Sequence, residues 1–87
     1  MDFKWHELKS QRLKVIRDVA FEEIVHHRIV AVEDHPRDEH QKILLFERNG
    51  CIWAAPCVID QQVVFLKTLY PSRKFTKKYL RGDYEKV

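Results

Sequence analysis

The sequence predicts an α+β fold: two helices, then an antiparallel sheet of three to four strands, then a basic helix. Apolar residues recur at helical spacing near the start of the chain, and after residue 41 they fall in short runs rich in β-branched and aromatic residues. A length of 87 residues suits one core, so residues 1–87 are expected to form a single domain. A composition of 45% hydrophobic and 33% charged residues is typical of a folded protein.

The two N-terminal helices are predicted from amphipathic patterns. The first spans about residues 3 to 17, and its apolar positions are Phe3, Leu8, Leu13 and Ile16. The second spans Phe21 to His27, where Glu22 and Glu23 favour a helix start. The β-branched residues that follow lead into a charged loop from Glu33 to Glu39, in which a proline ends regular structure.

Three strand-like runs are expected to form an antiparallel meander: Lys42 to Glu47, Cys51 to Ile59, and Val63 to Leu69. Asn49-Gly50 is the strongest hairpin signal, because both residues tolerate the positive φ angles of a type I′ turn; Asp60-Gln61 is a weaker one. Both faces of these strands are apolar, so the sheet is expected to be covered on both sides or to meet a partner. Pro56 cannot donate a ladder hydrogen bond and predicts a bulge or an edge.

Cysteine and histidine usage favours an intracellular protein without a metal site. Cys51 and Cys57 lie six residues apart on one predicted strand, about 20 Å at 3.3 Å per residue, too far for a disulfide. Two buried thiols in a reducing cytoplasmic compartment are the favoured interpretation. His35 and His40 flank an acidic loop whose ligand order matches no familiar metal spacing, so a solvated loop is favoured. The longest apolar run is too short to span a bilayer.

Positive charge is concentrated near the C-terminus. From Gln61 to Gly82 there are six Lys and Arg residues and no Asp or Glu. Ser72 is the predicted N-cap of a final helix. At 100° per residue its cations share one arc: Arg73, Lys74, Lys77, Lys78 and Arg81. The opposite arc is predicted to pack: Phe75, Thr76, Tyr79 and Leu80.

Two of these cations oppose the helix dipole. Arg73 and Lys74 lie in the first helical turn, where a cation costs about 0.3–1 kcal/mol. A bound phosphate would offset this cost by accepting hydrogen bonds from the helix N–H groups, the Ser72 hydroxyl and both cations. The alternative is a solvated basic face balanced by the more acidic first sixty residues. The dipole argument favours an anion site.

Several segments resemble the BrnT-like toxins of bacterial toxin–antitoxin systems, which have a RelE-like fold. The most distinctive is Phe65 to Leu80, a strand, a Pro-Ser-Arg-Lys turn and a basic helix; the others are Val19 to Ile24 and Glu33 to Pro36. The resemblance implies a cytoplasmic, metal-independent ribonuclease without a cofactor that arrests translation. It also implies a small DNA-binding antitoxin encoded beside it as partner. The family's usual Ser or Thr is Ala20 here, so a capping box with Glu23 is predicted to be lost.

Cleavage of RNA needs a base, an acid and cations that stabilise charge on phosphorus. Arg73 is the predicted phosphate clamp, because its guanidinium matches phosphate oxygens, and Lys67 and Lys77 are predicted charge stabilisers. Lys74 or Lys67 would act as the base if a crowded basic site lowered its pKa. The predicted RNA-binding residues are Tyr70, Ser72, Lys78 and Arg81, although a tyrosine at a strand end more often serves packing.

Two other functions fit the same pattern. The basic face also suits a non-catalytic module that binds RNA, DNA or the ribosome, since a basic helix indicates affinity and not turnover. In a third interpretation the apolar sheet faces form a protein-interaction surface, and the charge only maintains solubility.

Overall fold

A mixed sheet of six strands carries three α-helices, which confirms the predicted α+β class. The computed structural model describes residues 1–81, with the backbone alone at Arg81. The strands are β1 Asp2–Lys4, β2 Arg28–Asp34, β3 Lys42–Arg48, β4 Cys51–Asp60, β5 Val63–Leu66 and β6 Tyr70–Pro71. The helices are α1 Glu7–Arg17, α2 Phe21–Ile24 and α3 Arg73–Thr76, and a π-helical segment, Lys77–Arg81, continues α3. No helix within residues 1–81 has the length and apolar character needed to cross a membrane.

The predicted antiparallel meander is present as β2-β3-β4-β5, but the prediction of an antiparallel sheet of three to four strands is wrong for the whole sheet, which has six strands and a parallel pair. The strand order is β1-β5-β4-β3-β2, and β6 pairs with β4 beyond the end of β5. Asn49 and Gly50 have φ angles of 53° and 76°, so they form the expected tight turn between β3 and β4. The second turn lies one residue later than predicted, with Asp60 paired to Val63 and Gln61 at a φ of 55°.

The predicted helix start at residue 3 is wrong, because the chain begins with a strand. β1 runs parallel to β5, with Phe3 opposite Val64, and the Asp2 N–H donates to the Gln62 carbonyl at 2.7 Å. Polar and apolar residues alternate from Asp2 to Trp5, a period of two that fits a strand. α1 therefore begins only at Glu7.

β2 extends into the segment predicted as a loop. It continues through Glu33 to Asp34, and its pairing with β3 shifts register between Ile29 and Ala31. β5, in contrast, ends at Leu66 instead of Leu69. Strand ends are decided by pairing partners, which the local residue pattern does not contain.

Pro56 lies neither at a bulge nor on an edge, which corrects the prediction. It pairs in regular register with Ile43 inside β4, a strand flanked on both sides. Its carbonyl accepts a hydrogen bond from the Lys67 N–H at 2.8 Å, just beyond β5. Pro56 thus faces the gap between β5 and β6, where β4 needs no donor from it.

Both faces of the sheet are covered, as its two-sided apolar pattern predicted. One face packs Leu44, Phe46 and Trp53 against α1 and α2, which contribute Leu13, Phe21 and Ile24. The other packs Ile43, Leu45, Ile52 and Ala54 against Phe75 of α3. The sheet therefore separates α1 and α2 on one side from α3 on the other.

α2 is shorter than predicted, and Ser10 caps it from α1. Ser10 is fully buried; its hydroxyl accepts from the Phe21 N–H at 2.9 Å and donates to the Glu22 carboxylate at 2.6 Å. The Glu23 carboxylate accepts from the Ala20 N–H at 2.9 Å. Ala20 has no side-chain oxygen to accept a hydrogen bond at the start of α2, and the Ser10 hydroxyl accepts one there instead. The predicted loss of the capping box is thus compensated.

Candidate nucleic-acid interface

The start of α3 is held firmly on β4. The Ser72 N–H donates to the Ile52 carbonyl at 2.8 Å, and the Thr76 hydroxyl accepts from the Ile52 N–H at 2.8 Å. The Ser72 hydroxyl accepts from the Phe75 N–H at 3.1 Å, which confirms the predicted N-cap. Ser72 and Thr76 are both buried. The cap uses the Ser72 hydroxyl in this structure, and its contact with RNA stays a prediction.

The predicted division into a buried and a basic side is confirmed for Phe75 and Thr76, but Tyr79, which was predicted to pack, is exposed. Phe75 and Thr76 are buried, whereas the four cations from residue 73 to residue 78 are exposed: Arg73, Lys74, Lys77 and Lys78. The Lys74 Nζ lies 5.5 Å from the centre of the Phe75 ring. The predicted contact of Arg81 concerns a side chain outside the described part of the structure.

Glu33 of β2 neutralises one end of this basic face. Its carboxylate accepts hydrogen bonds from the Lys78 ammonium at 2.7 Å and from the Tyr79 hydroxyl. The Lys78 hydrogen bond, followed by that of Tyr79, lowers the pKa of Glu33, and Glu33 in turn raises the pKa of Lys78 and of Tyr79. The ion pair with Glu33 therefore reduces the positive charge of the face at Lys78, and the pattern at Glu33 had indicated only a loop.

Lys67 lies in a pocket beside α1. The pocket has a volume of about 320 Å³ and is lined by His6, Leu8, Lys9, Arg12, Phe65, Leu66 and Lys67. The Lys67 Nζ is 5.2 Å from the centre of the Phe65 ring. The His6 ring meets Phe65 edge-on, with 5.7 Å between ring centroids. Three cations, an imidazole and an aromatic ring thus line one concavity, and no carboxylate within residues 1–81 lines it.

The predicted site residues therefore fall into two regions on opposite sides of the sheet. Lys67 lies in the pocket beside α1, whereas Arg73 and Lys74 belong to α3 and Lys77 begins the π-helical segment that continues it. Tyr70, on β6 between them, pairs with Ala54 and packs partly buried against the α3-side core. Its position agrees with the packing alternative.

Sequence reasoning missed three residues of the pocket: His6, Lys9 and Arg12. They come to Lys67 because β1 lies parallel to β5 and directs the chain into α1 beside the end of β5. The alternation of Asp2 to Trp5 was the signal for this strand. Its pairing with residues 63 to 65 had no local signal.

The cysteine and histidine side chains are potential metal ligands, and the structure shows where they lie. The prediction of two buried thiols is correct for Cys57, whose burial raises the pKa of its thiol, and wrong for Cys51, which is partly exposed; neither forms a disulfide. The His35 Nδ1 accepts from the N–H groups of Arg37 and Asp38, each at 3.1 Å. Within residues 1–81, no three His, Cys, Asp or Glu side chains are arranged to hold a metal ion.

The described residues form a small α+β protein with two basic regions, one on each side of the sheet. Comparison with protein-family models, with curated proteins and with solved structures finds no match.

Proposed function

We propose that this chain is a BrnT-like, RelE-fold ribonuclease toxin whose catalytic centre is the pocket around Lys67. The observation that carries the proposal is the composition of the pocket, which brings His6 together with Lys9, Arg12 and Lys67. In this function the protein acts on RNA in the cytoplasm, free or on the ribosome. A small antitoxin encoded beside it holds it inactive.

The pocket residues supply what the reaction requires. The 2′-oxygen attacks phosphorus, the bond from phosphorus to the 5′-oxygen breaks, and a 2′,3′-cyclic phosphate and a 5′-hydroxyl form. His6 takes the proton from the 2′-hydroxyl, and the Lys9 ammonium donates a proton to the leaving 5′-oxygen. Arg12 and Lys67 stabilise the charge that develops on the phosphoryl oxygens, and Phe65 offers a stacking surface for a base. The reaction is complete with protein groups alone.

The basic face of α3 would hold more of the RNA strand. Arg73 remains the proposed phosphate clamp there, with Lys74 and Lys77 as further contacts. An RNA that reached both regions would pass around the sheet, since α1 and α3 cover opposite faces.

Expression in bacteria with and without substitutions tests the proposal. The unchanged protein should arrest growth and fragment total RNA, and Lys67→Ala, Arg12→Ala and His6→Gln should each abolish both effects. Arg73→Ala should abolish arrest while leaving folding intact. The matched control is Arg17→Ala, which removes an exposed cation from the other end of α1, outside the pocket. Equal loss of activity in Arg17→Ala, or full activity in Lys67→Ala, would contradict a catalytic pocket.

The second candidate function is a non-catalytic RNA-binding module that uses α3. The exposure of Arg73, Lys74 and Lys77 on a firmly anchored helix favours it. Under this function the purified protein binds RNA without cutting it. Lys74→Ala and Lys77→Ala then weaken binding, and Lys67→Ala leaves it nearly unchanged.

A further inference from the structure

α1 presents an apolar surface to solvent. Leu8, Val15 and Ile16 are 76%, 85% and 62% exposed, although the helix buries Ser10 and Leu13 against the core. An apolar side chain left in water lacks the stabilisation that burial would supply. The amphipathic pattern predicted Leu8 and Ile16 to face the core with Leu13, and that prediction is wrong for both.

These residues form one stripe along the helix. At about 100° per residue, Leu8 and Val15 differ by about 20°, and Arg12 and Ile16 follow within about another 80°. Ser10 and Leu13 point to the opposite side, into the core. The solvent-facing stripe, Leu8, Arg12, Val15 and Ile16, thus has the i, i+4, i+7, i+8 spacing of a helix that packs against another helix.

The charge around the stripe indicates what would cover it. Arg12 lies within the stripe and Lys9 beside it, and neither has an ion pair with a carboxylate in the described part of the chain. A second copy of the same stripe would bring these cations against each other. A polyanion would pair with the cations and leave the aliphatic side chains in water. An amphipathic helix with acidic flanks would bury the aliphatic side chains of the stripe and would also pair with its cations.

We infer that the solvent-facing stripe of α1 is a docking surface for an acidic amphipathic helix of another protein. Leu8 and Arg12 belong both to the stripe and to the lining of the pocket. A helix seated on the stripe therefore covers the rim of the pocket and competes with a polyanion for it. The docking surface itself goes beyond the proposed function and does not depend on catalysis.

The test uses the full chain and a synthetic peptide of about three heptads, with Leu at a and d positions and Glu at e and g positions. Fluorescence anisotropy of the labelled peptide should show saturable binding, and polyuridylate should displace it. Ile16→Glu and Val15→Glu should each weaken binding about tenfold or more, because a carboxylate replaces an apolar contact. Gln11→Glu is the matched control. It adds the same charge at an exposed position of α1 outside the stripe, and binding should change less than about twofold.

Several outcomes would overturn the inference. One is failure of the acidic peptide to bind the unchanged, folded protein. Another is equal binding of a peptide with Lys in place of Glu, and a third is equal weakening by Gln11→Glu and Ile16→Glu. Binding to phosphatidylglycerol vesicles, or self-association, that Ile16→Glu removes while the peptide does not bind would assign the stripe to a membrane or to a second copy. Peptide binding is measured without RNA cleavage, so failure here and failure of the ribonuclease proposal are distinguishable.

Discussion

At the scale of single residues, Ser10 joins the two N-terminal helices. It is a polar residue within an amphipathic helix, yet it is fully buried and its hydroxyl both accepts from Phe21 and donates to Glu22. A buried N–H at a helix start costs free energy unless it has a partner. Ser10 therefore makes the start of α2 depend on the packing of α1.

We predict that Ser10→Ala lowers the free energy of unfolding by about 1–2 kcal/mol, because the Phe21 N–H loses its acceptor. Urea unfolding followed by circular dichroism measures the change. Gln11→Ala, at the exposed neighbouring position, is the control and should leave the midpoint within error. Equal effects of the two substitutions would mean that the cap contributes nothing to stability.

At the scale of elements, Glu33 links the π-helical segment to the edge strand β2 through hydrogen bonds. Lys78 and Tyr79 lie in the π-helical segment, and both donate to Glu33 on β2. The Ser72 N–H also donates to the Ile52 carbonyl on β4, and the Ile52 N–H donates to the Thr76 hydroxyl, so these contacts together set the orientation of the basic face. Two strands of one sheet, β2 and β4, thus position a helix that is itself only four residues long before its π-helical segment.

The contribution of Glu33 to the stability of the fold should depend on pH. The pKa of Glu33 is lowered in the folded protein below the ordinary 4.5, so its ionised form stabilises the fold above about pH 4.5. This stabilisation is lost as the pH falls through the lowered folded-state pKa. The native protein should therefore be more stable than Glu33→Gln near neutral pH, and the difference should vanish in acid.

Thermal unfolding of both proteins from about pH 7 to about pH 2 measures that difference. Other carboxylates with lowered pKa values remain in both proteins, so only the difference between the two reports on Glu33. Tyr79→Phe removes one of the two donors and should reduce the difference without abolishing it. A difference that is constant across the whole range would show that Glu33 contributes no ionic stabilisation.

At the scale of the whole molecule, positive charge occurs on both sides of the sheet. The pocket beside α1 carries Lys9, Arg12 and Lys67, and α3 carries its own cations on the opposite face. Cations in two separated regions can neutralise different phosphates of one RNA strand, whereas cations within a single cluster would contact the same phosphates.

We predict that RNA binding weakens steeply with salt, and that each region contributes independently. Lys67→Ala and Arg73→Ala should each reduce the slope of log affinity against log salt by about 0.7, and the double variant by about twice that. Arg28→Ala is the control, because Arg28 pairs with Glu47 at 2.7 Å and lies on the edge strand. A double variant no more affected than either single one would place both cations on the same phosphate.

Parts of the fold were predictable from local pattern. Asn49 and Gly50 tolerate positive φ, Ser72 can cap a helix, and Phe75 and Thr76 alternate with cations at helical spacing. Each of these properties belongs to a few adjacent residues, so the sequence carries it directly. The same is true of the meander, since short connections favour antiparallel neighbours.

What the sequence determined by itself was the class of fold, the Asn49-Gly50 turn, the Ser72 cap and the separation of Phe75 and Thr76 from the cations of the last helix. Tertiary structure alone decided that β1 lies parallel to β5 and that Lys67 lines the same pocket as His6 and Arg12. It also decided that Lys78 donates a hydrogen bond to Glu33. It also left Leu8 and Ile16 facing water on a helix whose pattern predicted burial. The physical reason is range: periodicity and turn chemistry act over a few residues, whereas these contacts join residues far apart in the chain. Their free energies depend on which surfaces the completed sheet brings together.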